Sequence, residues 1–394
     1  MKNGFIPLSL PEIGEEEIAE VIAVLRSGWL TTGSRAEHFE KDFCRYTGAA
    51  HALAVSSCTA GLHLALAGLD LGPGDEVITT PLTFCATVNT ILHVGATPVL
   101  ADIGPDLNID PERVRALITP RTRAIVPVHF AGLPCRMEAL WEIARAHKLL
   151  VIEDAAHAAG AAVGDAKIGS GPSDAVAFSF YASKNLSTGE GGMVTCRSEE
   201  LAQRLRVLSL HGMSGDAWNR YRQGGGWRYE VEEIGFKYNL TDIQAAIGLH
   251  QLKKLDSMNA RRAEIIARYN AAFSKNPELE LPPAGDARTR HAWHLYVLRL
   301  NLDAFTIDRD RFLKEMRKRE IGCSVHFIPI PLHRAYRELK LPDPCRRALA
   351  EYPRLLSLPL FSGMSDDQVD QVIAAVEDVV CTFAVRKMAG ARVG

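Results

Sequence analysis

Apolar positions along the chain fall into short runs separated by stretches with helical spacing. Ile18, Val21, Ile22 and Leu25 share one face of an expected helix over 15–27. That helix opens on Glu15, Glu16 and Glu17, and acids suit the positive end of a helix dipole. Beyond residue 48, apolar runs at 51–55, 76–79, 98–101, 124–128, 149–152, 175–180 and 192–196 read as strands. Stretches at 59–69, 86–94, 111–118 and 136–147 read as helices between them. Strands alternating with helices predict an α/β domain with a doubly wound, mostly parallel, seven-stranded sheet flanked by helices.

The pattern changes after residue 210. Residues 211–238 hold Gly224, Gly225 and Gly226 among Trp218, Tyr221, Trp227, Arg228 and Tyr229, and read as a long functional loop. Helical stretches follow at 241–255 and 259–273. Strands are expected at 293–300 and 323–328, and helices at 308–320 and 366–380. These divide the chain into a large domain over 1–255, a smaller C-terminal α+β domain over 256–380, and a tail over 381–394.

Composition narrows the function. Lys plus Arg is 45 against 47 for Asp plus Glu, a net charge of −2. That balance argues against nucleic-acid and anionic-membrane binding, which need a basic excess. The eight cysteines include no CxxC and no zinc-finger spacing with histidine. Scattered single thiols in a large chain point to a reducing, cytoplasmic setting. The N-terminal residues run straight into acids and do not read as a signal peptide. The longest uncharged stretch, 52–69, carries Ser56, Ser57, Cys58 and Thr59 at its centre, so it does not read as a membrane span.

Several chemistries lack their signatures. GxxxxGK[ST], a GxGxxG after a strand, GxSxG and HExxH are all absent. His291 and His294 are three residues apart with no acid nearby, so no metal site is assigned to them.

Three features remain. The run Leu149–Ile152 ends in Glu153 and Asp154 and turns through small residues to His157. Ligands of open α/β sheets sit at such strand ends, although an aspartate here also suits a helix cap. Lys184 follows the apolar run 175–180 and precedes Gly189, Gly191 and Gly192. Lysines are mostly surface residues, but one in an apolar enclosure has a lowered pKa and becomes a candidate imine-forming nucleophile. Ser56, Ser57, Cys58 and Thr59 precede the 59–69 helix, where free N–H groups bind anions and hydroxyls also serve as ordinary caps. Together they supply a phosphate cradle, an acid and a lysine, the set that pyridoxal 5′-phosphate requires.

The chain resembles the sugar aminotransferases of the DegT–DnrJ–StrS type, which are fold-type-I pyridoxal phosphate enzymes. The matching segments are Ser27 to Gly33, Pro81 to Phe84, Glu153 to His157, Ser179-Phe180 with Lys184-Asn185, Gly189 to Gly192, and Lys237 to Leu240. His291 to Leu295 and Val325 to Phe327 match in the C-terminal part. The likeness is strongest to enzymes that aminate C4 of UDP-linked 4-keto sugars, such as the 4-amino-4-deoxyarabinose type.

The resemblance implies roles at specific positions. Lys184 would be the Schiff-base lysine and the acid and base of the proton shift, with Asp154 the partner of the pyridine nitrogen. His157 would lie near the ring oxygen and Phe84 on the ring face. Ser57, Cys58 and Thr59 would hold the phosphate with Ser179, and Asn239 would reach the cofactor of the neighbouring subunit. That implies a homodimer with shared active sites. Thr31, Tyr181 and His326 would face the substrate; many relatives have histidine where this chain has Tyr181. The implied reaction moves an amino group from L-glutamate to a nucleotide-linked keto sugar in two half-reactions. The competing expectations are amination at C3 or of a keto cyclitol, and a sensor that binds pyridoxal phosphate or a sugar nucleotide without turnover.

Overall fold

The computed structural model describes residues 4–213, 229–339 and 342–385. Trp218, Tyr221, Trp227 and Arg228 lie outside the described residues, as does most of the expected tail. The central sheet has seven strands: β1 (His51–Val55), β2 (Glu76–Thr79), β3 (Thr97–Leu100), β4 (Thr122–Val126), β5 (Leu150–Asp154), β8 (Ala175–Ser179) and β9 (Gly192–Cys196). Between β5 and β8 lies the short hairpin of β6 (Ala162–Val163) and β7 (Ala166–Lys167). The strand order is β1-β9-β8-β5-β4-β2-β3. Only β9 runs antiparallel to its neighbours. All five residues of β8 and of β9 are buried, as interior strands covered on both faces require.

Connecting helices cover the sheet: α3 (Cys58–Gly68), α4 (Cys85–His93), α5 (Pro111–Ala116), α6 (Met137–His147) and α7 (Glu199–Leu208). Before β1 come α1 (Glu15–Ser27) and α2 (Ser34–Thr47). Neither α2 nor α7 was anticipated. In α2 the polar residues dominate, and its buried apolar residues are Ala36, Phe39 and Phe43, with Phe43 edge-on to Phe178 of β8.

Three elements differ from expectation. The two helical stretches at 241–255 and 259–273 are one continuous helix, α8 (Asp242–Phe273), of 32 residues. Its first half packs with Phe178 and Phe180, and its second half with Tyr296 and Phe312. The expected boundary at 255 therefore falls inside an unbroken helix. Ile6 also packs in the C-terminal core and pairs by backbone with Ile321, so the first residues do not belong to the large sheet.

The second difference is in the C-terminal sheet. It runs β10 (Leu279–Glu280), β12 (Tyr296–Leu300), β13 (Leu355–Leu358). β11 (Thr289–Arg290) instead pairs with β6. The expected strand at 323–328 makes a single bridge, Ser324 to Ser357. Instead of extending that sheet, this stretch lines the cavity described below with His326 and Phe327. Helices α9 (Arg309–Lys318), α10 (Arg346–Glu351) and α11 (Asp366–Phe383) complete this part.

The third difference is which face of α1 is buried. Glu17 and Val24 face inward, while Ile18, Ile22 and Leu25 are each at least 40% exposed. Glu17 is sealed against α8, where it pairs with Lys254 and accepts from Gln251 Nε2, and it also accepts from the Gly14 N–H. A buried charge with three such partners is tolerated, and it turns the aliphatic stripe to the outside.

Candidate active site

The C-terminal ends of β1, β5 and β8 open on one edge of the sheet, and a cavity of about 470 Å³ lies there. Ser57, Cys58, Thr59, Phe84, Asp154, His157, Ser179, Tyr181, Lys184 and His326 all line it. Ten residues scattered over 270 positions thus meet in one place. Thr31 and Asn239 do not line it. Thr31 accepts the Asp242 N–H through its carbonyl, and Asn239 donates to the Thr32 hydroxyl at 2.7 Å.

The turn expected to cradle an anion is where β1 runs into α3. The Ser57 hydroxyl accepts the Ala60 N–H at 3.0 Å and its carbonyl takes the Gly61 N–H. The other N–H groups of this first turn, on Cys58 and Thr59, are the ones a helix leaves without internal partners. Gly192 makes the approach of β9 possible: a Cβ there would lie 2.6 Å from the Ser57 carbonyl carbon and 2.7 Å from the Cys58 nitrogen. The Ser179 hydroxyl stands across from this turn at the end of β8.

Asp154 ends β5 and is buried. Thr87 Oγ1 donates to its Oδ2 at 2.7 Å, the Ala156 N–H to its Oδ1 at 3.1 Å, and the Cys58 thiol points at Oδ1 from 3.9 Å. Burial pushes the carboxyl above the usual range, opposed by the Thr87 and Ala156 bonds and by the charge of Lys184. Thr83 in turn bonds Thr87 at 2.8 Å. This threonine pair was not anticipated, because nothing local to α4 distinguishes it from ordinary capping hydroxyls.

Lys184 sits on the hairpin loop between β8 and β9. The loop is closed by Phe180 N–H to Gly191 O and Thr188 N–H to Phe180 O, both 2.9 Å, and Lys184 N–H returns to Tyr181 O. Burial lowers the amine to about 8, against the opposing pull of Cys58 and Asp154. An amine at that value is free in a useful fraction at neutral pH, which nucleophilic attack on a carbonyl needs. Burial likewise pushes the Cys58 thiol well up, so it is not a competing nucleophile.

Three histidines complete the wall. His157 packs against His294, with ring centroids 4.4 Å apart, and stacks on Phe327 at 5.7 Å. His326 Nδ1 meets the Ser357 hydroxyl at 2.8 Å. Burial holds all three below the ordinary histidine range, His326 at about 4. His291 stacks on Trp293 and accepts its N–H, while His294 turns to Asn185, so the two do not converge. Among the described residues no cluster of His, Cys, Asp and Glu is arranged to hold a metal.

Two features fit pyridoxal phosphate. Asp154 is a buried carboxylate facing a cavity without a directly bonded cation, which a protonated ring nitrogen supplies. His157 Nδ1 is sealed yet has no hydrogen-bond partner, a cost that a polar ligand atom relieves. On the other face of β5, Glu153 Oε2 accepts from His129 Nε2 at 2.7 Å. His129 Nδ1 accepts the Cys135 N–H, which fixes that tautomer and leaves the pair to serve the core.

Comparison with known proteins agrees with this geometry. The model of the DegT/DnrJ/EryC1/StrS aminotransferase family matches residues 11–377. The chain is 54% identical over 387 residues to the spore coat polysaccharide biosynthesis protein SpsC of Bacillus subtilis, covering 96% of this chain and 98% of that protein. Among solved structures it is similar to the putative sugar aminotransferase Spr1654 of Streptococcus pneumoniae in its PLP form. There the TM-score is 0.89 at 33% identity, over 96% of this chain and 99% of that one. It is also similar to Helicobacter pylori PseC, an aminotransferase of pseudaminic acid biosynthesis, with TM-score 0.88 and 32% identity over 96% and 100% of the two chains. The lysine, the acid and the anion cradle thus stand in the setting of fold-type-I pyridoxal phosphate enzymes, and the chain belongs to the DegT/DnrJ/EryC1/StrS aminotransferase family.

Proposed function

We propose that this protein moves the amino group of L-glutamate to a keto group, at C4, of a nucleotide-linked keto sugar, giving an amino sugar for polysaccharide or glycan synthesis. The observation that carries the chemistry is the convergence of Lys184, Asp154 and the first turn of α3 on one cavity. The sugar acceptor is supported by the relatives, since SpsC and PseC are named for polysaccharide and pseudaminic acid synthesis. Bound pyridoxal phosphate supplies an electron sink that stabilises negative charge at a substrate carbon. The chain's residues do the rest. Cys58 and Thr59 N–H groups with Ser179 hold the phosphate. Asp154 keeps the ring nitrogen protonated, and Thr87 and Ala156 keep Asp154 aimed at it. Lys184 Nζ would anchor the group and, once released from it, would carry the proton at the substrate carbon as a free amine. Phe84 offers a face to the cofactor ring, and Tyr181, half exposed at the cavity mouth, faces the acceptor together with His326.

The same reading includes a homodimer with shared sites. Asn239 stands outside its own chain's cavity, as a residue reaching a partner's site does. The exposed stripe of Ile18, Ile22 and Leu25 on α1 is the kind of apolar patch that covers itself by association. A cytoplasmic location agrees with the free cysteines, and no helix among the described residues is long and apolar enough to cross a membrane.

The test is the visible spectrum of the holoprotein before and after L-glutamate, followed by a panel of keto acceptors. Loss of the yellow band with release of 2-oxoglutarate, then its return on adding a UDP-linked 4-keto sugar, is the expected result. Return only with a 3-keto sugar or a keto cyclitol moves the position of amination. A band indifferent to glutamate removes the donor.

A further inference from the structure

We propose that Asn185 is a positioning residue that, through His294, holds His157 in place beside Lys184. The proposal rests on the pyridoxal phosphate chemistry of the site and is independent of which sugar accepts the amine.

The direction of every hydrogen bond in the chain is fixed by two main-chain carbonyls. Asn259 on α8 sends its Nδ2 to the Ala159 carbonyl at 3.0 Å, so its Oδ1 is the atom facing Asn185. Asn185 donates Nδ2 to that Oδ1 at 2.7 Å and to the Ala292 carbonyl at 2.6 Å. Carbonyl oxygens only accept, so the Asn185 amide cannot be flipped. Its Oδ1 is left facing His294 Nδ1 at 3.0 Å. An amide oxygen also only accepts, so His294 carries its proton on Nδ1. The ring of His294 is thereby held in one plane and one tautomer, and it is the surface against which His157 packs.

The backbone around this contact is constrained to match. Ala131 and Trp293 both have positive φ, at 56° and 49°, which non-glycine residues rarely adopt. Gly132 lies between the two histidines, and a Cβ there would be 2.8 Å from the His157 carbonyl oxygen and 3.1 Å from the His294 nitrogen. The His294 and Leu295 N–H groups bond the Ala131 carbonyl, and the Ala292 N–H bonds that of Gly132. Arg262 is buried and donates Nη1 to the Leu360 carbonyl at 2.9 Å, with longer bonds to the carbonyls of Trp293 and His294. Strain of this sort persists where the surroundings over-determine it. What it holds here is one ring edge facing the cavity. Asn185 directly follows Lys184, so the same residue ties the lysine loop, α8 and the histidine wall together.

The experiment compares Asn185→Ala, His294→Phe and His294→Asn, each reconstituted with pyridoxal 5′-phosphate. His294→Phe keeps a ring against His157 and loses the Nδ1 proton. His294→Asn keeps a donor to Asn185 and loses the ring. The readout is the visible circular dichroism of the cofactor per mole bound, which reports its orientation, with kcat and KM for the glutamate half-reaction. Each variant is expected to lose at least about half of the dichroic band, and kcat is expected to fall about tenfold with KM within about twofold. Asn185→Ala combined with His294→Phe is expected to be no worse than either alone, because the two act in series. Wild-type dichroism and kcat in a cofactor-loaded Asn185→Ala, or additive losses in the double variant, overturn the proposal. So does a variant set in which only the melting temperature and cofactor occupancy fall. If Asn185→Ala does not fold, the two His294 variants decide the question on the same readouts.

Discussion

Asp154 stands out in the sequence because it ends an apolar run, and Lys184 because it lies between such a run and a glycine turn; the structure brings both to one cavity. Lys184→Ala is expected to abolish transamination, measured as 2-oxoglutarate released from L-glutamate. Asp154→Asn is expected to retain pyridoxal phosphate but slow the glutamate half-reaction on the order of 10²-fold, seen by stopped-flow absorbance. The lysine also sets a pH dependence. Burial lowers it to about 8, and only the free amine attacks the cofactor, so the rate of cofactor capture by apoprotein rises with pH and levels off above about 8. Capture that is flat between pH 6.5 and 9 would contradict this. Thr87 and Asn185 were not legible as site residues. Thr87 reaches Asp154 67 positions away, and Asn185 bonds residues 74 to 109 positions away. No local pattern encodes partners at such distances; the fold alone brings them together.

At the scale of elements, the central strands were readable within a few residues, since buried parallel strands are continuous apolar runs. The helices α2 and α7 were not readable, and α1 was readable for the wrong reason. The apolar spacing of α1 identified a helix correctly but pointed its buried face the wrong way, because Glu17 has partners on α8 that the spacing does not reveal. Two predictions follow from that inversion. Ile18→Glu with Ile22→Glu is expected to shift the protein toward monomer in sedimentation, with the monomer's fold intact. Glu17→Ala is expected to lower stability by about 1–3 kcal/mol in denaturant titration. Burial would raise the Glu17 carboxyl, but bonds from Lys254, Gln251 and the Gly14 N–H bring it below the ordinary value. Its contribution is therefore present above pH 4.5 and is lost as pH falls through the lower folded value. The missing strand at 323–328 makes a related point: that stretch serves a cavity wall instead of extending a sheet.

At the scale of the molecule, the change from strand-helix alternation to a mixed pattern is what suggests a larger and a smaller unit. The continuity of α8 across the point between them was not visible. Residues 255 to 259 read as a break because the apolar face is interrupted at Asp256 and Ser257. The helix continues through it, since both halves are held by separate cores, and its second half keeps Arg262 against the histidine wall. At 1.5 Å per residue, its 32 residues make a rod about 48 Å long. Such a rod makes a hinge costly at the point where a boundary would be drawn. Swinging the smaller unit away to admit a bulky substrate would require bending the rod or dragging half of it out of its packing. A path to the cavity that leaves the rod in place runs past the exposed side chains at its mouth, Phe84 and Tyr181, like a doorway in a fixed wall.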